Sequence, residues 1–300
     1  MKKPLLLLTL LLISFYSFSQ KAGSSQDSLL NSLSSDNPKE PVTIFKSTLL
    51  VLSQTTETVK KNNLNFLVIH RFGDFAGTNG GGQIFYGLDA VADVYIGFEY
   101  GITDKLNIDL GRSTIGRLVN MNLKYALLQQ TTDNSSPLAI TLVGETGVRT
   151  YDSYHAFSDR VSYFAEAIFA RKFSSEFSLL VAPSFVRDNT PIPFTVGNTQ
   201  HFLSLSAAAR FKITKHMGFI IDYAHPFSSF RSTANGFHDP LGFGLEMETG
   251  GHVFTINFTN SRAISEINYL SNTQSAYSKG EYRIGFTISR MFDFNHKKQY

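Results

Sequence analysis

The groups in this sequence that could do chemistry are carboxylates and cations set at alternate positions along short apolar segments. Asp93, Glu99, Asp109, Glu145, Glu166, Asp222 and Glu246, with Lys124, Arg149, Arg210 and Arg283, are the principal ones. Arg71, Lys212, Glu248 and Glu281 complete a set of nine acids and six bases on corresponding faces. A mixture with an acidic excess suits a chamber or pore that prefers cations, because charged rings set ion preference. It suits equally a filled interior in which opposite charges pair. Asp93 and Glu99 would stand ~20 Å apart at roughly 3.3 Å per strand residue, too far to act as acid and base on one bond. Glu246 and Glu248 would be about 7 Å apart, beside a turn. Of the eight histidines, His225 and His238 flank one loop with Asp239 and could meet as an adventitious metal site; loop polarity explains them as well. His201 is the only histidine near strand serines. It and Ser204 have opposite parity, Ser206 shares the face of Ser204, and no Gly-x-Ser-x-Gly is present. The run Gly77–Gly82 lacks the Lys-Ser/Thr of a phosphate loop and reads as a mobile outer loop. The expectation is a non-enzymatic protein with no catalytic set, no cofactor and no metal.

What positions these groups follows from composition and periodicity. Cysteine and tryptophan are absent, aromatic residues make 13% of the chain and charged residues 17%, against roughly 25% charged in soluble domains. So apolar a chain does not stay disordered. Without cysteine there is no disulfide or thiolate metal site. The net charge of +3 is diffuse, which argues against a nucleic-acid partner. Met1-Lys2-Lys3, the apolar run from Leu5 to Ile13 and a cleavage zone near Ser19/Gln20 form a secretory leader over residues 1–20. The run is shorter than the ~20 residues a spanning helix needs. Residues 21–61 read as a flexible, periplasmic or plug segment, within which the apolar Val42–Leu52 could plug, line or join the wall.

From residue 62 apolar side chains recur at every second position, as on a strand with one greasy face. Ala92, Val94, Ile96, Phe98 and Tyr100 alternate with Asp93, Tyr95, Gly97 and Glu99 in this way, the second of twelve such segments that run in order from Leu64 to Ile288. Connections after even-numbered segments are short, such as Thr103-Asp104-Lys105 and Thr214-Lys215-His216. Those after odd-numbered ones are mostly long: 73–90, 151–158, 189–200, 228–240 and 261–279, with 115–117 the exception. Short periplasmic turns and long outer loops mark a transmembrane barrel. Hydrocarbon offers no hydrogen bonds, so only a closed sheet crosses it as strands. The expected fold is all-β: a closed antiparallel transmembrane β-barrel of about 12 strands over residues 62–292, with an N-terminal non-barrel segment and a tail at 293–300. Tyr100, Tyr125, Tyr223 and Tyr282 fall near strand ends, where interfacial rings belong.

The stretches His70-Arg71-Phe72-Gly73-Asp74, Gly87-Leu88-Asp89-Ala90 and Gly97 to Thr103, with Gly111-Arg112-Ser113 and Asn122-Leu123-Lys124-Tyr125, resemble an uncharacterised outer-membrane β-barrel family of Gram-negative bacteria, known only as a domain of unknown function. The resemblance covers roughly residues 40 to 292 and implies a barrel in the outer membrane, with no substrate or catalytic residue to carry over. Arg283, Gly285 and Ile288 partly match the last-strand signal read by the barrel-assembly machinery, whereas Arg290 replaces an apolar residue. The expected partners are therefore outer-membrane lipid, that machinery and small solutes. The expected role is a narrow pore or binding barrel, or an accessory envelope barrel. A lipid-modifying enzyme or an adhesive barrel working through loops 228–240 and 261–279 is the alternative.

Overall fold

The computed structural model describes residues 39–150, 156–189 and 200–294; the leader, residues 21–38 and most of the tail lie outside them. Strands form where alternation set them: β1 Asn63–Phe72, β2 Val91–Gly101, β3 Leu106–Ser113, β4 Leu118–Leu128, β5 Ala139–Arg149, β6 Val161–Lys172, β7 Phe177–Asp188, β8 Gln200–Lys212, β9 Met217–Phe227, β10 Leu241–Thr249, β11 His252–Thr259 and β12 Arg283–Asp293. Each pairs antiparallel with its chain neighbours, and β1 pairs with β12 to close the cylinder. No edge is left for hydrocarbon to strand. The exposed residues are the apolar set expected, among them Ile96, Phe98, Met121, Leu123, Leu203 and Ile256.

The closely approaching backbone explains two glycines. Gly97 and Gly111 are register partners on β2 and β3. The inward ring of Tyr95 lies across them, so that a Cβ on Gly111 would sit 1.9 Å from the tyrosine hydroxyl. At Gly101 the chain entering β1 passes so near that a Cβ would be 2.1 Å from the Lys60 carbonyl oxygen.

The inner face is not uniformly polar, which alternation alone did not reveal. On β6–β9 it carries Phe164, Ile168, Leu180, Val186, Phe202 and Ile220, all buried. On β1–β4 and β10–β12 it carries mostly amides, hydroxyls and charges, with Leu67, Ile69 and Leu118 as exceptions. Water wets the first sector poorly, and two pieces of chain cover it. From the short-turn end, Val42 N–H donates to the Gln130 carbonyl at 2.8 Å and the chain rises into the lumen. It turns in a hairpin (Leu50 N–H to Ser53 O, 2.9 Å; Thr55 N–H to Thr48 O, 2.9 Å) and descends to Asp104, whose carboxylate accepts from Lys61 N–H at 2.9 Å. The segment Val42–Leu52 thus forms one arm of a plug and not a thirteenth wall strand.

From the other end, the loop between β11 and β12 folds inward and forms α1, Glu266–Asn272. This corrects the reading of 261–279 as an outward interaction loop: Ile264, Ile267, Tyr269 and Leu270 are buried. The segment was too apolar for a water-exposed loop, and α1 packs on β6, β7 and β9. Phe45, Leu50, Leu52, Ile267 and Leu270 share one core with the apolar wall. Each such side chain contributes ~1.5–3 kcal/mol when removed from water. The glycine-rich loop is likewise packed and not loose, with Gly81 N–H bonded to Phe75 O and Tyr86 N–H to Gly81 O, both at 2.9 Å.

Candidate functional site: an occluded lumen

The charged residues singled out from the sequence hold the hairpin and the α1 loop against the wall. At the lower level Glu99 stands opposite Asp109 across β2 and β3. It accepts from Thr48 Oγ1 and from Asn65 Nδ2, each at 2.7 Å. Lys124 Nζ donates to the Thr48 carbonyl at 3.1 Å. At the hairpin tip, Asp222 accepts from Leu52 N–H and Ser53 N–H at 2.8 Å and from Ser53 Oγ at 2.7 Å. Arg71 joins both pieces: its guanidinium donates to Val51 O at 2.9 Å and to the Ala263 carbonyl.

At the outer end Asp93 accepts from Ser113, Thr114 and Ile115, and from Ile264 N–H at 3.0 Å. Arg149 donates to Asp188 through Nη2 at 3.0 Å and to Asn268 Oδ1 on α1 through Nη1 at 2.6 Å. Arg283 Nη1 reaches the Asn260 carbonyl and Ser275 Oγ at 3.0 Å. Arg210 pairs with Glu246 at 2.7 Å lower down, and Glu248 pairs with Lys46 of the hairpin arm at 2.8 Å in a half-exposed bridge. Glu166 lies buried with Oε2 unpartnered, as is Asp109 Oδ1.

Sequence reasoning missed three members. Asp188 continues the inward parity of β7 beyond the apolar run that marked the strand. Glu57 and Glu266 sit on the plug and loop, where no periodicity points inward. Glu57 accepts from Ile44 N–H and Phe45 N–H at 2.9 and 3.1 Å, tying the two hairpin arms together.

Glu266 lies outside the spanning strands, and its burial raises its pKa above the usual value of 4.5. It faces Gln54, Glu145 and the charge of Lys124, with Glu166 and Asp109 also within electrostatic range. Ser265 Oγ donates to Glu145 at 3.3 Å, which sets the Glu145 carboxylate beside the start of α1. The neutral form is favoured when α1 is docked. Docking is therefore strongest below pH 4.5 and weakens as pH rises through the raised value. Amide exchange over residues 264–271, corrected for intrinsic rates, should speed up with rising pH in the wild type. In Glu266→Gln it should not; matching pH profiles would refute the account.

Among the described residues no three His, Asp or Glu converge as a metal site. His225 Nδ1 does meet Asp239 at 2.9 Å, and Tyr223 also bonds that carboxylate, while His238 N–H turns to Thr273 O. His201 is exposed, whereas Ser204 and Ser206 are buried.

Among the described residues, spaces remain inside at three levels. A recess of about 340 Å³ at the short-turn end is lined by Lys46, Glu57, Asn65, Glu248, His252 and Ser289. A cavity of about 30 Å³ lies higher, among Gln54, Tyr95, Glu99, Asp109, Asn122 and Glu266. One of about 80 Å³ lies at the outer end, among Arg149, Asp188, Arg262, Asn268 and Asn272.

Residues 45–292 match a family described as a membrane bound beta barrel domain, DUF5777. The chain belongs to that family. As a DUF5777 barrel it is membrane-bound. The matched stretch takes in the hairpin and α1 as well as the wall, so the occluding pieces are part of the DUF5777 domain. No curated protein matches the chain. Among solved structures it is similar to the NanC porin, with 10% identity over 76% of this chain and 98% of that one and a TM-score of 0.47. It is also similar to the KdgM porin in complex with disordered oligogalacturonate (5%, 78% and 99%, TM-score 0.45). A third is the COG4313 outer membrane channel from Pseudomonas putida F1 (9%, 79% and 98%, TM-score 0.47).

Proposed function

We propose that this protein is a gated outer-membrane channel for small solutes, cations before anions, and that the conformation described is its closed form. The observation that carries the reading is where the blockage lies. Spaces lie at three levels of the lumen, and hydrogen-bonded contacts from the hairpin and α1 stand between them. Glu99–Thr48 closes the lower step and Glu145–Ser265 the upper. Withdrawing either piece would join spaces already lined by groups that hydrate well.

Partnerless polar atoms support the same reading. Asp109 Oδ1, both amide atoms of Asn107, Asn120 Oδ1 and Asn257 Oδ1 lack a protein partner. A buried group left so costs roughly 1–3 kcal/mol, a burden that water or solute would relieve. The buried wall acids Asp93, Glu99, Asp109, Glu145, Glu166, Asp188, Asp222 and Glu246 outnumber Arg71, Lys124, Arg149, Arg210 and Arg283, which favours cations.

Planar-bilayer recording tests this. Intact protein should open rarely. A variant lacking residues 43–56, shown by circular dichroism to keep its strands, should conduct steadily, with a reversal potential displaced toward the cation's in a salt gradient. Silence of that folded variant at all voltages would overturn the proposal.

A further inference from the structure

The loop between β1 and β2, at the long-loop end of the barrel, leaves large apolar side chains uncovered. Phe85, Tyr86, Leu88 and Val91 are 62%, 50%, 38% and 62% exposed. A loop that met only water would fold such groups away. The 228–240 loop does so with Phe237, which is buried and packs on Phe230 at 5.4 Å between ring centroids.

The backbone holds the rings out. Phe85 and Tyr86 both lie in the left-handed region, at φ of 48° and 54°. Bulky residues rarely adopt that conformation, and it persists only where the surroundings over-determine it. Here they do. Tyr86 N–H donates to Gly81 O at 2.9 Å and Leu88 N–H to Phe85 O at 3.1 Å, while Gly73 N–H lies 2.9 Å from Gly87 O and 2.8 Å from Ala90 O. A Cβ on Gly87, at φ 86°, would sit 2.6 Å from the Gly73 carbonyl oxygen. Earlier in the loop, Phe75 N–H donates to Tyr282 O at 2.7 Å and Ala76 N–H to Gly280 O at 3.1 Å. The loop is thus fastened to the end of β1 and to the approach to β12.

Neighbouring rings show which way it leans. Phe258 and Tyr282 stand on the lipid side, because Asn257, Thr259 and Arg283 beside them in the chain are buried on the inner face. Phe75 stacks on Tyr282 at 5.1 Å and meets Phe258 edge-on at 6.2 Å, and Tyr86 lies against Phe75 at 5.3 Å. A second path runs through β2. Its register with β1 steps from Arg71↔Asp93 to Phe72↔Val91, so Ala92 is the extra residue of a bulge and Val91 is re-aimed to the face of Phe72. Phe72 in turn meets Phe286 of the outer wall at 6.1 Å. The exposed patch is therefore continuous at two points with the wall that lipid covers.

We propose that residues 84–91 are a membrane anchor outside the cylinder, seating Phe85, Tyr86, Leu88 and Val91 in the bilayer leaflet at the long-loop end. Lipid is the occupant because a bilayer that covers Phe72, Phe258 and Phe286 reaches the side chains packed beside them. Aromatic rings are also favoured at that boundary. Gln83 and Asp89, exposed among the apolar residues, set the depth at the headgroups, where a charge costs little. The anchor does not depend on whether the lumen conducts.

The chain has no tryptophan, so a single one reports on its own position. Phe85→Trp and, separately, Tyr86→Trp are reconstituted in phosphatidylcholine vesicles, with circular dichroism confirming the strands. Ala234→Trp, on the 228–240 loop, is the water-side reference. Phosphatidylcholine brominated high on its acyl chain should remove about half of the emission at 85 and 86, as for side chains ~5–10 Å into the headgroup boundary. Bromine near the chain end should remove less, and aqueous acrylamide should quench these positions far less than position 234. Strong acrylamide quenching without bromine quenching would place the patch in water and overturn the anchor. Protection from both quenchers would mean that protein, such as a second copy of the chain, covers the patch, and would overturn it equally.

Discussion

Asp222→Asn should release the hairpin and turn rare openings into a dominant open state. Asp222 is fully buried and accepts from Leu52 N–H, Ser53 N–H and Ser53 Oγ at the hairpin tip, at 2.7–2.8 Å. Hydrogen bonds to a charged acceptor contribute roughly 1.5–3 kcal/mol each. Asparagine keeps the size but offers one oxygen to three donors and points an NH2 at the others. A net loss of ~3 kcal/mol of docking free energy would shift a two-state equilibrium by about 150-fold. Arg71, whose guanidinium holds Val51 O, would lose a neighbouring counter-charge as well. Single-channel recording and limited proteolysis of residues 44–56 measure the effect together. If both open time and protease protection match the wild type, Asp222 is no latch.

Arg149→Met is expected to give the largest loss of stability. Arg149 and Asp188 are 1% and 0% exposed at the side chain. The same guanidinium is the donor to Asn268 on α1. Methionine fills the volume but takes the paired cation away from Asp188, which also accepts from Ser162 Oγ at 3.0 Å. Breaking one side of a buried pair costs about 3–5 kcal/mol, whereas removing both charges together is often close to neutral. Thermal unfolding in detergent should therefore fall sharply for Arg149→Met and recover substantially in Arg149→Met/Asp188→Asn. A double variant as unstable as the single one would show that the position matters for packing and not for charge.

Much of the wall was legible because hydrocarbon is an unforgiving solvent. It forces alternation on every strand, so the register of all twelve strands follows from residues such as Ile96, Phe98 and Tyr100 alone. The placement of Asp93, Glu99 and Asp222 on the inner face follows by parity. What those carboxylates touch does not, because their partners come from residues 44–57 and 261–272. There the backbone obeys no period of 2. Its apolar content was visible in Leu50, Val51, Ile267 and Leu270, but composition names no destination. The apolar sector of β6–β9 was hidden for a related reason. Where Phe164, Ile168 and Leu180 join outward Ala165, Phe169 and Val181, both faces are greasy, and the lipid side alone determines how the pattern is read.

The hairpin leads directly into β1, and the loop bearing α1 leads directly into β12. The two strands that seal the cylinder against one another are thus the two whose preceding segments fill it. A chain halted before this seam forms would have its last unpaired ladders and its unburied contents in the same places. Sealing and filling become one cooperative event, and whatever loosens either insert also loosens the join.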